Sequence, residues 1–199
     1  MPLLRLLGIV FILIPTTLAA QIPSEIPESP IQAGGRALLF QVQSVSLSAF
    51  GGATMSAKWH PSPTVARRAS LTVDGDLATA EDRGRQRVNF DFDLLFLKYS
   101  RTRTPVYLYY GLGPTAMFRI DRQTQDVGPS HTNLQSGLGV GAVLGVEWIV
   151  APAIGLVGEY ISSLFLTYSR RPVSSDETVG EYGVRLQPRG ARAGVSVYF

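Results

Sequence analysis

Two histidines, His60 and His131, are the obvious candidates for chemistry in this chain, which has no cysteine at all. His60 precedes Pro61 in a proline-marked turn, and His131 follows Ser130 in a polar stretch, so the two are expected at opposite rims. A metal needs several converging ligands, and one histidine without thiolates or clustered carboxylates is a poor site. A nucleophilic arrangement of Ser130, His131 and Asp126 is conceivable. A triad, however, is defined by geometry and not by nearness in sequence, and a solvated histidine is the simpler account. The glycine runs Gly137-Leu-Gly-Val-Gly141 and Gly111-Leu-Gly113 do not complete the Gly-x-Gly-x-x-Gly spacing of a dinucleotide loop and lead into more strand pattern and not a helix. No catalytic, cofactor or metal residue is therefore assigned.

The charged residues are more informative, because they recur on the polar side of alternating segments. A strand has a side-chain period of two, so strict alternation makes one apolar and one polar face. In Arg87 to Tyr99, Val88, Phe90, Phe92, Leu94 and Phe96 oppose Asn89, Asp91 and Asp93. Applied along the chain, the rule puts Lys58, Arg68, Asp91, Asp93, Glu147, Glu159 and Arg192 on polar faces. If those faces line a narrow barrel, the ions must pair, since an isolated buried charge is costly. Glu147 and Glu159 are expected to meet Arg192 or another inward cation and to plug the lumen. Charge reversal at Arg192 should then lower the heat resistance of the folded protein. A narrow gated pore is the alternative use of the same charges.

Eight segments carry the alternation: Ala37–Ala49, Ala53–Trp59, Ala66–Val73, Arg87–Tyr99, Val106–Phe118, Gln135–Val150, Ile154–Tyr168 and Gly190–Phe199. The first changes parity at Gln43-Ser44, which predicts a β-bulge. Pro114 removes a ladder donor inside the fifth and predicts a bulge or bend. Short proline turns (60–64, 100–105, 151–153) alternate with longer polar connections (74–86, 119–133, 169–190). The exception is a tight hairpin at Phe50-Gly-Gly52. Alternating short and long ends suit an antiparallel up-and-down barrel with turns on one rim and loops on the other.

Residues 1–20 form a targeting segment, with Arg5 in the positive region, an apolar run to Leu18 and small residues before Gln21. The run is shorter than the ~20 residues of a spanning helix. Residues 21–35, with three prolines, read as a flexible leader, and residues 36–199 as the barrel domain. Without Arg5, 17 Lys+Arg stand against 15 Asp+Glu, a net charge near +2. That weak, dispersed balance implies no nucleic-acid partner. Twenty glycines, 45% apolar and 17% charged residues fit a β-rich protein with two differently solvated faces.

On these residues the chain resembles the small outer-membrane β-barrel proteins of the OmpA-like transmembrane-domain and related "outer membrane protein beta-barrel" class. The resemblance rests on Tyr107-Leu-Tyr-Tyr-Gly-Leu-Gly-Pro114, Gly139-Val-Gly-Ala-Val-Leu-Gly-Val-Glu-Trp148, Val150-Ala-Pro152, Gly155-Leu-Val-Gly-Glu-Tyr160 and Gly194-Val-Ser-Val-Tyr-Phe199. It covers about 37–199 and speaks to fold more than to function. It implies an all-β, eight-stranded antiparallel transmembrane barrel, exported to a bacterial outer membrane as a monomer. Val195, Val197, Tyr198 and Phe199 then form the terminal assembly signal read by the barrel-assembly machinery, with periplasmic chaperones as escorts. Lipid and lipopolysaccharide are the remaining partners; Arg119, Arg122 and Arg170-Arg171 are suited to lipopolysaccharide phosphates. With the chain ending at Phe199, no cell-wall tethering domain is expected. A structural or surface-interaction role is the leading expectation. A lipid-modifying barrel enzyme (hydrolase or acyltransferase) and a soluble lipocalin-like ligand-binding barrel are the alternatives.

Overall fold

A computed structural model of the chain describes residues 29–43, 45–46, 49–50, 52–80, 83–103, 105–125, 131–172 and 178–199. Eight strands close into one ring: β1 (Arg36–Val42), β4 (Ala53–Ser62), β5 (Val65–Ala80), β6 (Arg83–Arg103), β7 (Val106–Gln125), β8 (His131–Ala151), β9 (Ile154–Pro172) and β10 (Thr178–Tyr198). Every neighbouring pair is antiparallel, and β1 meets β10 through Ala37↔Tyr198 to Val42↔Ala193 to seal the ring. Closure removes the unpaired edge that an open sheet would present to its surroundings. Two short strands, β2 (Val45–Ser46) and β3 (Ala49–Phe50), make a separate hairpin between β1 and β4.

Alternation decides the two surfaces. Leu38, Phe40, Phe92, Phe96, Leu112, Leu138, Leu144 and Leu166 are exposed on the outside. Lys58, Arg68, Asp93, Glu147, Glu159 and Arg192 are buried inside. This is inverted relative to a water-soluble barrel, which turns its apolar face inward. On β8 the outward apolar row runs from Leu138 to Trp148. About ten steps of roughly 3.3 Å, tilted about 40°, span about 25 Å, the height of a lipid-facing band.

The strands are taller than the alternation alone outlined. Polar connections expected over 74–86, 119–133 and 169–190 are largely strand: β5 and β6 pair out to Ala80↔Arg83, and β7 pairs with β6 out to Gln125↔Arg83. Hydrogen bonding to the neighbouring strand carries each hairpin past the apolar band, where a polar composition no longer argues against strand. β10 begins at Thr178 rather than Gly190, and a bulge at Arg189 interrupts its pairing with β9. Before the bulge Tyr182, Val184 and Leu186 face out; after it Ala191, Ala193, Val195 and Val197 do. One extra residue thus reverses the parity. Gly190 holds a left-handed φ of 79° there. Gly190→Ala should cost about 1–2 kcal/mol, seen as a lower midpoint in urea unfolding of the folded barrel.

The bulge expected at Gln43-Ser44 falls on Ser44, which lies outside the described residues; β1 ends at Val42, and Val45–Ser46 pairs with Ala49–Phe50 in the small hairpin. That hairpin also replaces the tight Phe50-Gly-Gly52 turn; Gln43 N–H reaches the carbonyl of Gly52 across its base at 3.4 Å. Pro114 stays in register with Val140 of β8. On its other side the β6–β7 ladder skips from Asp93↔Thr115 to Phe96↔Leu112 without a shift. The missing donor leaves a local gap and no bulge.

The termini of the ring, the turns at 63–64 and 152–153 and the short step from Arg103 of β6 to Val106 of β7 share one rim. Short turns mark the periplasmic side of such barrels and tall hairpins the external side. Residues 29–35, grouped by composition with a flexible leader, are seated under the periplasmic mouth. Ile31 is buried beside Tyr99, Tyr107, Ile149 and Tyr198, and Tyr107 donates to the Ser29 hydroxyl at 2.7 Å. Residues 1–28, on which the expected targeting segment falls, lie outside the described residues.

Candidate functional site: the lumen

Each lumen charge is positioned by the same two-residue period, so groups far apart in sequence meet only because the ring closes. Nearest the periplasm, the Lys58 ammonium of β4 donates to both oxygens of Glu147 on β8, at 2.8 and 2.7 Å. Tyr99 and Tyr198 donate to the same carboxylate at 3.0 and 2.7 Å. Lys58 also reaches the Tyr198 oxygen at 2.8 Å and lies 4.9 Å from its ring centre. His60 stands at this level. It belongs to β4 and not to a turn: the β4–β5 register shifts by one residue at His60-Pro61, between Trp59↔Arg67 and Ser62↔Val65, and the Pro61 ring points outward there. Its ring is fully buried, 5.0 Å from that of Tyr99.

Midway up, Arg68 of β5 holds Glu159 of β9 in a fork, at 2.7 and 3.2 Å. Planar guanidinium and carboxylate groups suit this two-point geometry. Tyr109 donates to the same carboxylate at 2.7 Å and stacks on Tyr99 with ring centres 5.0 Å apart. Gly145 makes room for the Tyr109 ring, since a Cβ there would strike it. Arg192 lies beside Glu159 in the β9–β10 register and points inward.

Above these, Arg189 donates to Asp93 of β6 at 3.0 and 2.8 Å and to Thr115 of β7 at 2.7 Å. Asp91 lies 3.7 Å from its Nε. The bulge is what aims Arg189 inward, across the lumen from Asp93. The external mouth is wetter: Arg87 pairs with Asp121 at 3.3 Å, and Arg119 donates to Asn89.

All seven charges marked from the sequence point into the lumen. The structure joins Lys58 to Glu147 and Arg68 to Glu159, and gathers Asp91 and Asp93 at Arg189. Sequence reasoning missed Arg189, because it assigned 169–190 to a loop. The signal was present in the even-numbered apolar residues Tyr182, Val184 and Leu186, which need a bulge to join the odd-numbered set after Gly190. The tyrosines were missed too, being counted only as the small face of their strands. Asp126 and Ser130, of the conceivable triad, lie outside the described residues; His131 opens β8. In the assembly signal, Val195, Val197 and Phe199 face outward, whereas Tyr198 faces in and binds the Glu147 carboxylate.

A closed ring of eight antiparallel strands, apolar outside and ionic within, is a transmembrane β-barrel of the small bacterial outer-membrane type. No protein-family model and no curated protein matches the sequence. Among solved structures, a major outer membrane protein from Thermus thermophilus superposes with a TM-score of 0.60 at 13% identity, over 84% of this chain and 100% of that one. Neisserial surface protein A matches with a TM-score of 0.48 at 17% identity, over 83% and 94% of the two chains. Ail, the attachment invasion locus protein of Yersinia pestis, matches with a TM-score of 0.46 at 13% identity, over 84% and 100%. At these identities the likeness is one of fold.

Proposed function

We propose that this protein is an outer-membrane barrel with a structural and surface-interaction role, its lumen closed and its external hairpins presented to the surroundings. The observation that carries the reading is the stack of ion pairs across the lumen: Lys58–Glu147, Arg68–Glu159 and Arg189–Asp93, each with side chains at most 1% exposed. An eight-stranded barrel is only just wide enough for side chains to fill it. Here the ion pairs are packed among inward apolar side chains such as Leu39, Leu95, Ile161 and Phe165, braced by Tyr99 and Tyr109, and Ile31 covers the lower end. The external hairpins carry Arg87, Arg119, Arg122, Arg170 and Arg185, which suit anionic partners such as lipopolysaccharide phosphates.

Planar-bilayer recording of the purified, folded protein tests the closed lumen. The expected trace is flat over hours at 100 mV. Stable unitary steps in the wild-type protein would replace this reading with the narrow pore. Arg68→Ala/Glu159→Ala, which removes the middle pair together, should introduce small or flickering conductance if those side chains are the obstruction.

A further inference from the structure

We propose that the outer wall over β1, β4, β5 and β6 carries a binding site for an anionic phospholipid in the periplasmic leaflet. The proposal rests on the outward surface facing a bilayer, and it names a lipid for one place on that surface.

The register aligns two rows of outward residues. One runs Leu38, Ala57, Ala69, Leu94; the next, nearer the periplasm, runs Arg36, Trp59, Arg67, Phe96. Two alanines side by side between two leucines make a recess, and a groove of about 460 Å³ lies there. Its apolar floor and walls fit an acyl chain. Directly below, Arg67 is held 5.4 Å from the Trp59 ring, so its guanidinium is anchored at the mouth of the groove. Arg36 flanks Trp59 on the other side, two strand spacings or about 9.6 Å from Arg67 along the sheet. Lys98, paired with Val65, adds a third outward cation one row lower.

Charge complementarity selects the occupant. Arg36, Arg67 and Lys98 are all exposed on this wall. The corresponding outward positions on β8, β9 and β10 are Trp148, Val150, Ile154, Leu156 and Val197, with no charge. An apolar groove opening onto a cluster of cations at interface depth matches a lipid whose chain runs up the wall and whose phosphate meets the arginines. Tryptophan is itself favoured at that depth. Each basic residue at an anionic membrane surface contributes roughly fivefold in affinity.

The test is native mass spectrometry of the purified full chain in detergent, titrated with phosphatidylglycerol or with phosphatidylcholine of the same chains. The wild type should retain one phosphatidylglycerol about tenfold more strongly than phosphatidylcholine. Arg36→Gln/Arg67→Gln should cut that preference severalfold, Lys98 alone remaining, and Ala57→Leu, which fills the groove, should weaken retention of both lipids. Ala116→Leu, on the lipid face of β7, should leave retention unchanged. Equal retention by the double variant and the wild type would overturn the site. So would displacement of the lipid by millimolar inorganic phosphate, which would show an anion site without the groove. Lipid-free dimers in its place would assign the wall to a second copy. The gel shift between unboiled and boiled samples reports on the barrel separately: its loss in the wild type would sink the membrane reading itself, and its retention in every variant isolates the lipid result.

Discussion

Replacing Glu147 with alanine should lower the stability of the folded barrel by about 3–5 kcal/mol, the cost of leaving one member of a buried ion pair without its partner. The side chains of Lys58 and Glu147 are 1% and 0% exposed, so water cannot take the place of the missing carboxylate without opening the packing. Two hydroxyls lose their acceptor at the same time, because Tyr99 and Tyr198 both donate to Glu147. Lys58→Met/Glu147→Met should recover part of the loss, since it removes both charges and keeps the volume, while the tyrosines stay unsatisfied at about 1–3 kcal/mol each. The rim pair gives the comparison. Arg87 and Asp121 are 33% and 13% exposed, and Asp121→Asn should cost under about 1 kcal/mol. Urea titration of the barrels in vesicles, followed by the gel shift between folded and unfolded forms, reads all three. A Glu147→Ala midpoint indistinguishable from wild type would mean that water reaches the Lys58 ammonium and that the lumen is not closed at this level.

The fold was legible because alternation is a local property, and each strand shows it without knowledge of its neighbours. Phe90 to Phe96 declare a shared apolar face from two-residue spacing alone, although spacing does not say which way that face points, and the proline turns separate the strands. Partnership was not legible in the same way. Lys58 and Glu147 are separated by most of the chain, and only the register of the closed ring decides that Lys58, and not Arg192, reaches Glu147. Strand height was hidden for another reason: above the bilayer both faces are wet, so 119–125 and 178–181 lose the contrast that marks a strand. Arg189 fell into that blind region. Its inward aim depends on a one-residue bulge whose local traces are the even-numbered Tyr182, Val184 and Leu186 before it and the left-handed glycine after it. His60 shows the converse error, for a following proline reads as a turn. Pro61 instead sits in a one-residue register shift near the end of β4, a place where a missing ladder donor is tolerated, and the strand resumes at Ser62↔Val65.

Leu144→Arg is the sharpest test of which face meets the membrane, and the expected cost is about 2–4 kcal/mol. Leu144 is 64% exposed, lies between Tyr110 and Tyr160 in the register, and sits near the middle of the band bounded by Leu138 and Trp148. In a protein surrounded by water, arginine at so exposed a position would change stability by under about 0.5 kcal/mol. In a bilayer the guanidinium must thin the membrane or reach toward a headgroup, and the penalty follows depth. Arginine at Leu134, four residues above Leu138 on the same strand, should therefore cost only about 0–1 kcal/mol. The gradient between the two positions carries more weight than either number, because a packing defect would not scale with height along β8. A maximum at Leu144 centres the band where Trp148 and Trp59 lie at one interface and Tyr168 and Tyr182 at the other. A maximum at Leu138 would instead raise the membrane along the wall, leave Trp59 and Arg67 outside the hydrocarbon edge, and remove the depth match on which the phospholipid site depends. Equal, small effects at every height would return the apolar surface to water and end the case for a membrane barrel.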